Sequence, residues 1–209
     1  MRSENEVSIM SDSNPVDPKN GEHTNLIRWG GLAAVLAGIL RGIASLTPTY
    51  TSVWLQFFYL AIDVLLFLGI MGLYGYQRKE TGWWGFSGFL LALIGAGLLI
   101  VNDIVNARVN LYPIAALLFT MGIGILAIVS WVLKTLPRWA CALLITSTIV
   151  GIPGYFIKGF AILFVLSGIM FGIGFIGAGL KVWLQSAKMS SSYEDFRNAN
   201  DNRNRATET

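Results

Sequence analysis

The chain has 209 residues, of which 54% are apolar and only 13% charged, with a formal net charge of +3. A water-soluble domain carries about 25% charged residues, so this composition cannot wrap several apolar helices in a polar shell, and the solvent it fits is a lipid bilayer. The basic excess does not point to nucleic acid, because the basic residues are spread over short loops and alternate with acids at both ends.

Residues 1–25 form a polar segment in which Arg2 and Lys19 sit among Glu4, Glu6, Asp12, Asp17 and Glu22. Pro15, Pro18 and the lack of apolar periodicity predict a disordered, solvated tail. The first apolar run follows this tail and leads into others, so it reads as a retained helix and not as a cleaved signal. Six runs match the ~20 residues needed to cross a ~30 Å hydrocarbon core. They are Leu26–Leu46, Ser52–Tyr74, Trp83–Asp103, Leu111–Val132, Trp139–Phe156 and Phe160–Trp183. Lipid leaves open backbone groups without partners, so such spans must be helical. The predicted fold class is all-α, a polytopic membrane bundle of six transmembrane helices over 26–184, with a second disordered polar tail over 185–209.

The expected loops, Thr47–Thr51, Gly75–Gly82, Ile104–Asn110, Leu133–Arg138 and Ile157–Gly159, are too short to hold a soluble domain. Any site must therefore lie among the helices or at their mouths. With six spans, one side of the membrane receives Arg2, Lys19, Arg28, Arg78, Lys79, Lys134, Arg138, Lys181, Lys188, Arg197, Arg203 and Arg205, and the other only Arg108 and Lys158. Lys and Arg concentrate on the inner face, which places both termini in the cytoplasm. The pattern is that of small bacterial multi-span proteins, and the expected location is a bacterial plasma (inner) membrane. The tryptophans fall near span ends, at the headgroup level that amphipathic rings favour. Trp29, Trp84 and Trp139 recur every 55 residues, a spacing consistent either with three tandem hairpins or simply with the length of a two-span unit.

Small residues make packing seams: Ala34, Gly38, Gly42 and Ser45 in the first span, Gly88, Ala92 and Gly95 in the third, Gly168, Gly172 and Gly179 in the sixth. Such spacing lets helix backbones approach closely in lipid. Gly172, Gly174 and Gly177 match the dinucleotide fingerprint, but the fingerprint needs a preceding strand and a helix start, which a mid-span position denies. Cys141, the single cysteine, has no disulfide partner within the chain and reads as a packing residue.

Ionisable residues inside spans are costly and point to function or to a specific partner. Arg41 lies roughly 9 Å and Asp63 roughly 16 Å below the outer membrane edge at about 1.5 Å per residue, close enough for an ion pair. Asp103, beside Asn102, is a second candidate partner for Arg41. Gln56, Tyr59 and Asp63 share one helix face. Together Arg41, Gln56, Tyr59, Asp63, Asn102 and Asp103 form an expected polar cluster in the outer half of the bundle, either a structural ion-pair network or a ligand or ion site. The fifth span adds Thr146, Ser147 and Thr148, with Gly151, Pro153 and Gly154 as a possible break.

His23, the only histidine, lies in the N-terminal tail, which removes the triad and histidine-ligated metal chemistries. No catalytic residues, metal ligands or cofactor are expected. Three functions remain open. The chain acts through intramembrane helix contacts as an assembly, stabilising or regulatory subunit or a homo-oligomer. Alternatively, it is a small-solute or ion carrier or channel with a polar outward-facing vestibule. A third possibility is a lipid- or pigment-binding protein, with Phe57, Phe58, Tyr59 and Phe67 along a groove. Its partners are the lipid bilayer and other membrane proteins or copies of itself, and no nucleic acid.

Overall fold

The structure, a computed structural model, describes residues 19–46, 53–105, 111–156 and 161–207. The expected loops at 47–51 and 157–159, residues 106–110 and the first 18 residues of the N-terminal tail lie outside these. Five helices follow one another: α1 (Lys19–Ala44), α2 (Val53–Val105), α3 (Tyr112–Leu133), α4 (Arg138–Phe156) and α5 (Ala161–Thr207). Among the described residues there is no strand.

Four segments are long and apolar enough to cross a membrane: Asn25–Ala44, Trp54–Ile104, Tyr112–Leu133 and Ile162–Ser191; Arg138–Pro153 is a shorter apolar helix. The second of these is not a straight rod. Extended, α2 would hold Gln56 and Asp103 about 70 Å apart, yet Gln56 Nε2 donates to the Asp103 carbonyl over 2.8 Å. The Tyr74 and Phe89 rings stack with their centroids 4.1 Å apart. The chain reverses at Gly82, whose φ of 54° and ψ of −149° belong to a region open essentially to glycine alone. α2 is thus a hairpin of two antiparallel arms, 53–81 and 83–105.

The expected Gly75–Gly82 loop is therefore corrected: the first arm stays helical to Thr81 and the reversal takes one residue. Residues 76–81 contain Gln, Arg, Lys and Glu, which propagate a helix well, and Thr81 Oγ1 bonds back to the Gln77 carbonyl at 3.1 Å. Charge there does not end the helix. Two further helices overrun their expected limits. α1 begins at Lys19, and α5 continues to Thr207 through a stretch with no proline or glycine after Gly179 to stop it. α3 ends by a left-handed cap at Lys134 (φ 58°), and Thr135 N–H donates to the Ser130 carbonyl at 3.1 Å. Pro137 then precedes α4, which remains helical through Gly151 and Pro153 to Phe156.

The first arm of α2 is central. Ile62, Leu66, Ile70 and Leu73 make one fully buried stripe, met by Phe175, Ala178 and Val182 of α5 and by Ala34 and Ala37 of α1. Outward faces are apolar instead of polar: Leu36, Ile39 and Ile43 on α1, Val64, Leu68 and Met71 on α2, Met121 and Ile128 on α3, Leu166, Ile173 and Leu180 on α5 are exposed. A large contiguous apolar exterior suits lipid and not water.

Glycine lets the backbones touch. α1 and α5 form the most extensive helix pairing, antiparallel, with Gly31 against Gly179, Gly38 against Gly172 and Ser45 against Gly168. Gly30 meets Gly72 so closely that a Cβ on Gly72 would lie 2.5 Å from the Gly30 Cα. Gly122 of α3 packs against Gly88 and Ala92. The fingerprint-like glycines serve the same purpose: Gly172 touches Gly38, Gly174 faces Ala140 and Leu144, and Gly177 lies under the Trp139 ring.

These contacts fix the two ends of the bundle. At the Gly82 end, Ile27 lies against Gly75 and Gly31 against Trp183, so Arg28, Arg78, Lys79, Lys134, Arg138 and Lys181 share it. Arg41, Asp63 and Asp103 lie toward the other end.

Candidate functional site

At the end opposite Gly82 all five helices contribute to one cavity of about 80 Å³, partly open at its mouth. Arg41 enters from the last turn of α1. There a cation is favoured by the carbonyl end of the helix dipole. The Arg41 carbonyl is taken up by Ser45, whose N–H and Oγ donate to it at 3.0 and 2.8 Å. Tyr59 and Asp63 come from one face of the first α2 arm, four residues apart, and Leu99 and Asp103 from one face of the second. Asp63 is only 6% exposed. The hairpin at Gly82 therefore sets two carboxyl groups, forty positions apart in sequence, side by side: Asp63 and Asp103 meet side chain to side chain, and the Arg41 charge acts on both. Asp103 Oδ2 is buried and receives no N–H or O–H of the described chain.

The surrounding polar side chains hold these groups in place. Tyr59 OH donates to the Ala44 carbonyl at 3.3 Å, tying α2 to the end of α1. The Gln56 bond to the Asp103 backbone clamps the two arms at their tips. Asn102 Oδ1 accepts the Leu111 N–H at 3.2 Å and so anchors the start of α3. Gln56 and Asn102, expected within the polar cluster, are thus braces outside the lining, while Arg41, Tyr59, Asp63 and Asp103 line the cavity together.

Of the far wall only the α4 part, Ser147 and Gly151, was anticipated. Tyr112, Phe119 and Thr120 of α3, Ser147 and Gly151 of α4 and Phe164, Ser167 and Phe171 of α5 complete the lining. Ser167 Oγ donates to the Ser147 carbonyl at 2.8 Å, joining α5 to α4. Phe119 and Phe171 form the floor with ring centroids 5.6 Å apart, and Phe171 stacks on the buried Phe175. Of the hydroxyls noted in the fifth span, only Ser147 reaches the cavity; Thr146 is exposed and bonds to Ala142, and Thr148 bonds to Leu144. Sequence offered one signal for this wall, the pairing of small or hydroxyl residues four apart at Ser147 and Gly151.

A second buried polar group occupies the Gly82 end. Gln77, 1% exposed, accepts from Thr135 Oγ1 at 2.9 Å, and its Oε1 lies 2.6 Å from Ser130 Oγ, which is equally close to the Leu126 carbonyl. Gln77 Nε2 is buried with no partner among the described residues. Nearby, Tyr76 OH bonds to Gln185 Oε1. No such network was expected. Its signal was that Gln77 continues the Ile62, Leu66, Ile70, Leu73 stripe by one turn. Cys141 is buried against the core, as a packing residue would be.

Chemically, the cavity offers one fixed cation, two opposed carboxyls, phenol and serine hydroxyls and an aromatic floor. Among the described residues no three His, Cys, Asp or Glu side chains gather in a metal-binding group. No protein-family model, curated protein or solved structure matches the chain.

Proposed function

We infer that the chain is a six-pass membrane protein that admits a small charged solute into the Arg41–Asp63–Asp103 cavity, as a carrier does. One observation supports this most: the ionisable side chains within the apolar helices converge on a cavity that opens at one end of the bundle. A purely structural ion pair would be packed dry, since burying charge is tolerated only with close pairing and full hydrogen bonding. Here Asp103, which lines the cavity, keeps one buried carboxyl oxygen without a donor. Sites of this kind, mostly apolar with a few convergent polar groups, are the usual form of small-molecule pockets.

Six passes follow if each α2 arm crosses separately. At about 1.5 Å per residue each arm exceeds a ~30 Å core. The basic end then faces the cytoplasm with both termini, and the cavity opens outward. The small-residue seams are occupied within this chain, by α1 on α5 and α2 on α3, so they do not themselves call for an external partner.

A thermal-unfolding screen of the detergent-solubilised protein against small cations, anions and zwitterions tests the reading. At least one charge class should stabilise the wild type and not Asp63→Asn. If no class shifts unfolding, the cluster is structural. Accessibility labelling of single cysteines placed at the two ends tests the threading.

A further inference from the structure

Resting on that reading, we propose that the cavity takes a monovalent organic cation, a protonated amine with an apolar or aromatic body, in exchange for one proton held between Asp63 and Asp103.

The charge balance selects the class. Facing carboxylates in a low-dielectric site cannot both stay ionised without a cation or a proton between them. Arg41 from α1 offsets one negative charge. The second α2 arm brings Asp103, while Tyr59 and Tyr112 bring phenols from the first arm and α3. Within the described lining, α4 and α5 add Ser147 and Ser167 but no ionisable group. With both aspartates ionised the site totals one negative charge; with one shared proton it is neutral. A monovalent cation in place of that proton restores neutrality.

The walls decide between inorganic and organic. A bare metal ion wants a shell of oxygens, whereas this lining is dominated by Tyr59, Tyr112, Phe119, Phe164 and Phe171 with Leu66 and Leu99. Aromatic faces attract ammonium groups and shelter a hydrocarbon body. A divalent ion is further disfavoured by the resident Arg41 charge. An anion would meet two carboxyls and one guanidinium.

The exchange is balanced. R–NH3+ enters, its N–H groups donate to the two carboxylates, the hydrogen-bonded proton leaves to water, and no covalent bond other than O–H breaks. Run in reverse, protonation expels the amine.

The test uses the purified full-length protein in weakly buffered detergent near neutral pH, with phenethylamine as probe and a pH-indicator dye as readout. Phenylpropionate, phenethyl alcohol and sodium ion serve as comparison probes. The expected result is saturable phenethylamine binding with about one proton released per amine, and affinity falling about tenfold per unit of pH in the acid direction. In Asp63→Asn, binding should weaken about tenfold or more and proton release should vanish. Amine binding without proton release overturns the exchange. Tighter binding of phenylpropionate or sodium ion overturns the ligand class but leaves a solute-binding cavity standing. Binding of none of the probes overturns the inference, and the solute screen then decides separately whether the cavity reading survives. The wild-type proton count needs no variant, so a poorly folding Asp63→Asn does not spare the proposal.

Discussion

The two buried polar groups of this bundle sit at opposite ends and are treated differently. At the Gly82 end, Gln77, Ser130 and Thr135 are neutral, nine-tenths buried or more and packed against their neighbours. At the cavity end, Arg41, Asp63 and Asp103 are ionisable groups around open space. In an interior of low dielectric a neutral network can be sealed at moderate expense, whereas unsatisfied charge is expensive. A protein that needed only rigidity had the cheaper solution available and used it at one end alone. Glycine packing does not follow this division: Gly30 touches Gly72 at one end and Gly168 touches Ser45 at the other, while a Cβ on Gly42, one residue beyond Arg41, would meet nothing within 4 Å.

Substitutions can break this contrast. The largest effect should come from Gly72→Ala, which forces α1 and α2 apart at Gly30 and costs about 3 kcal/mol, measured as loss of monodisperse protein and a lowered unfolding temperature. Gln77→Ala should cost about 2 kcal/mol, from the vacated volume and the lost Thr135 bond. It should leave solute binding unchanged, as read by unfolding with and without the stabilising solute. Asp63→Asn should act in the opposite sense. Replacing one of two opposed carboxyls by an amide gives Asp103 a donor, so stability should hold or rise by about 1 kcal/mol while binding is lost. If Asp63→Asn destabilises as Gln77→Ala does, both ends are structural and the contrast fails. Gly42→Ala, at the smallest end, should stay within about 0.5 kcal/mol of the wild type.

Much of this architecture was legible because bilayer solvent imposes strong rules. Apolar runs, tryptophan placement and the ionisable residues Arg41, Asp63 and Asp103 stand out against a lipid-facing background. What remained hidden depends on which helices meet. Gln77 sits in a charged stretch that looks like a loop, and its burial depends on α3 and α4 arriving beside it. The single-residue reversal at Gly82 has no composition signature beyond the glycine itself. Phe119, Ser167 and Phe171 look like any packing residues in a span; only the convergence of α3 and α5 with the others makes them a wall. Gln56 and Asn102 share the right neighbourhood, but their hydrogen bonds to backbone turn them into braces, and helix periodicity carries no information about backbone partners.

The pairing of α1 with α5 sets an order of assembly. The ribosome delivers α1 well before α5, so the α5-facing glycines of α1 must wait uncovered while α2, α3 and α4 are made. Closure of the bundle is then a late, long-range event of the kind that slows folding. Products stopped before residue 161 would leave Gly31 and Gly38 without the α5 backbone they pack against.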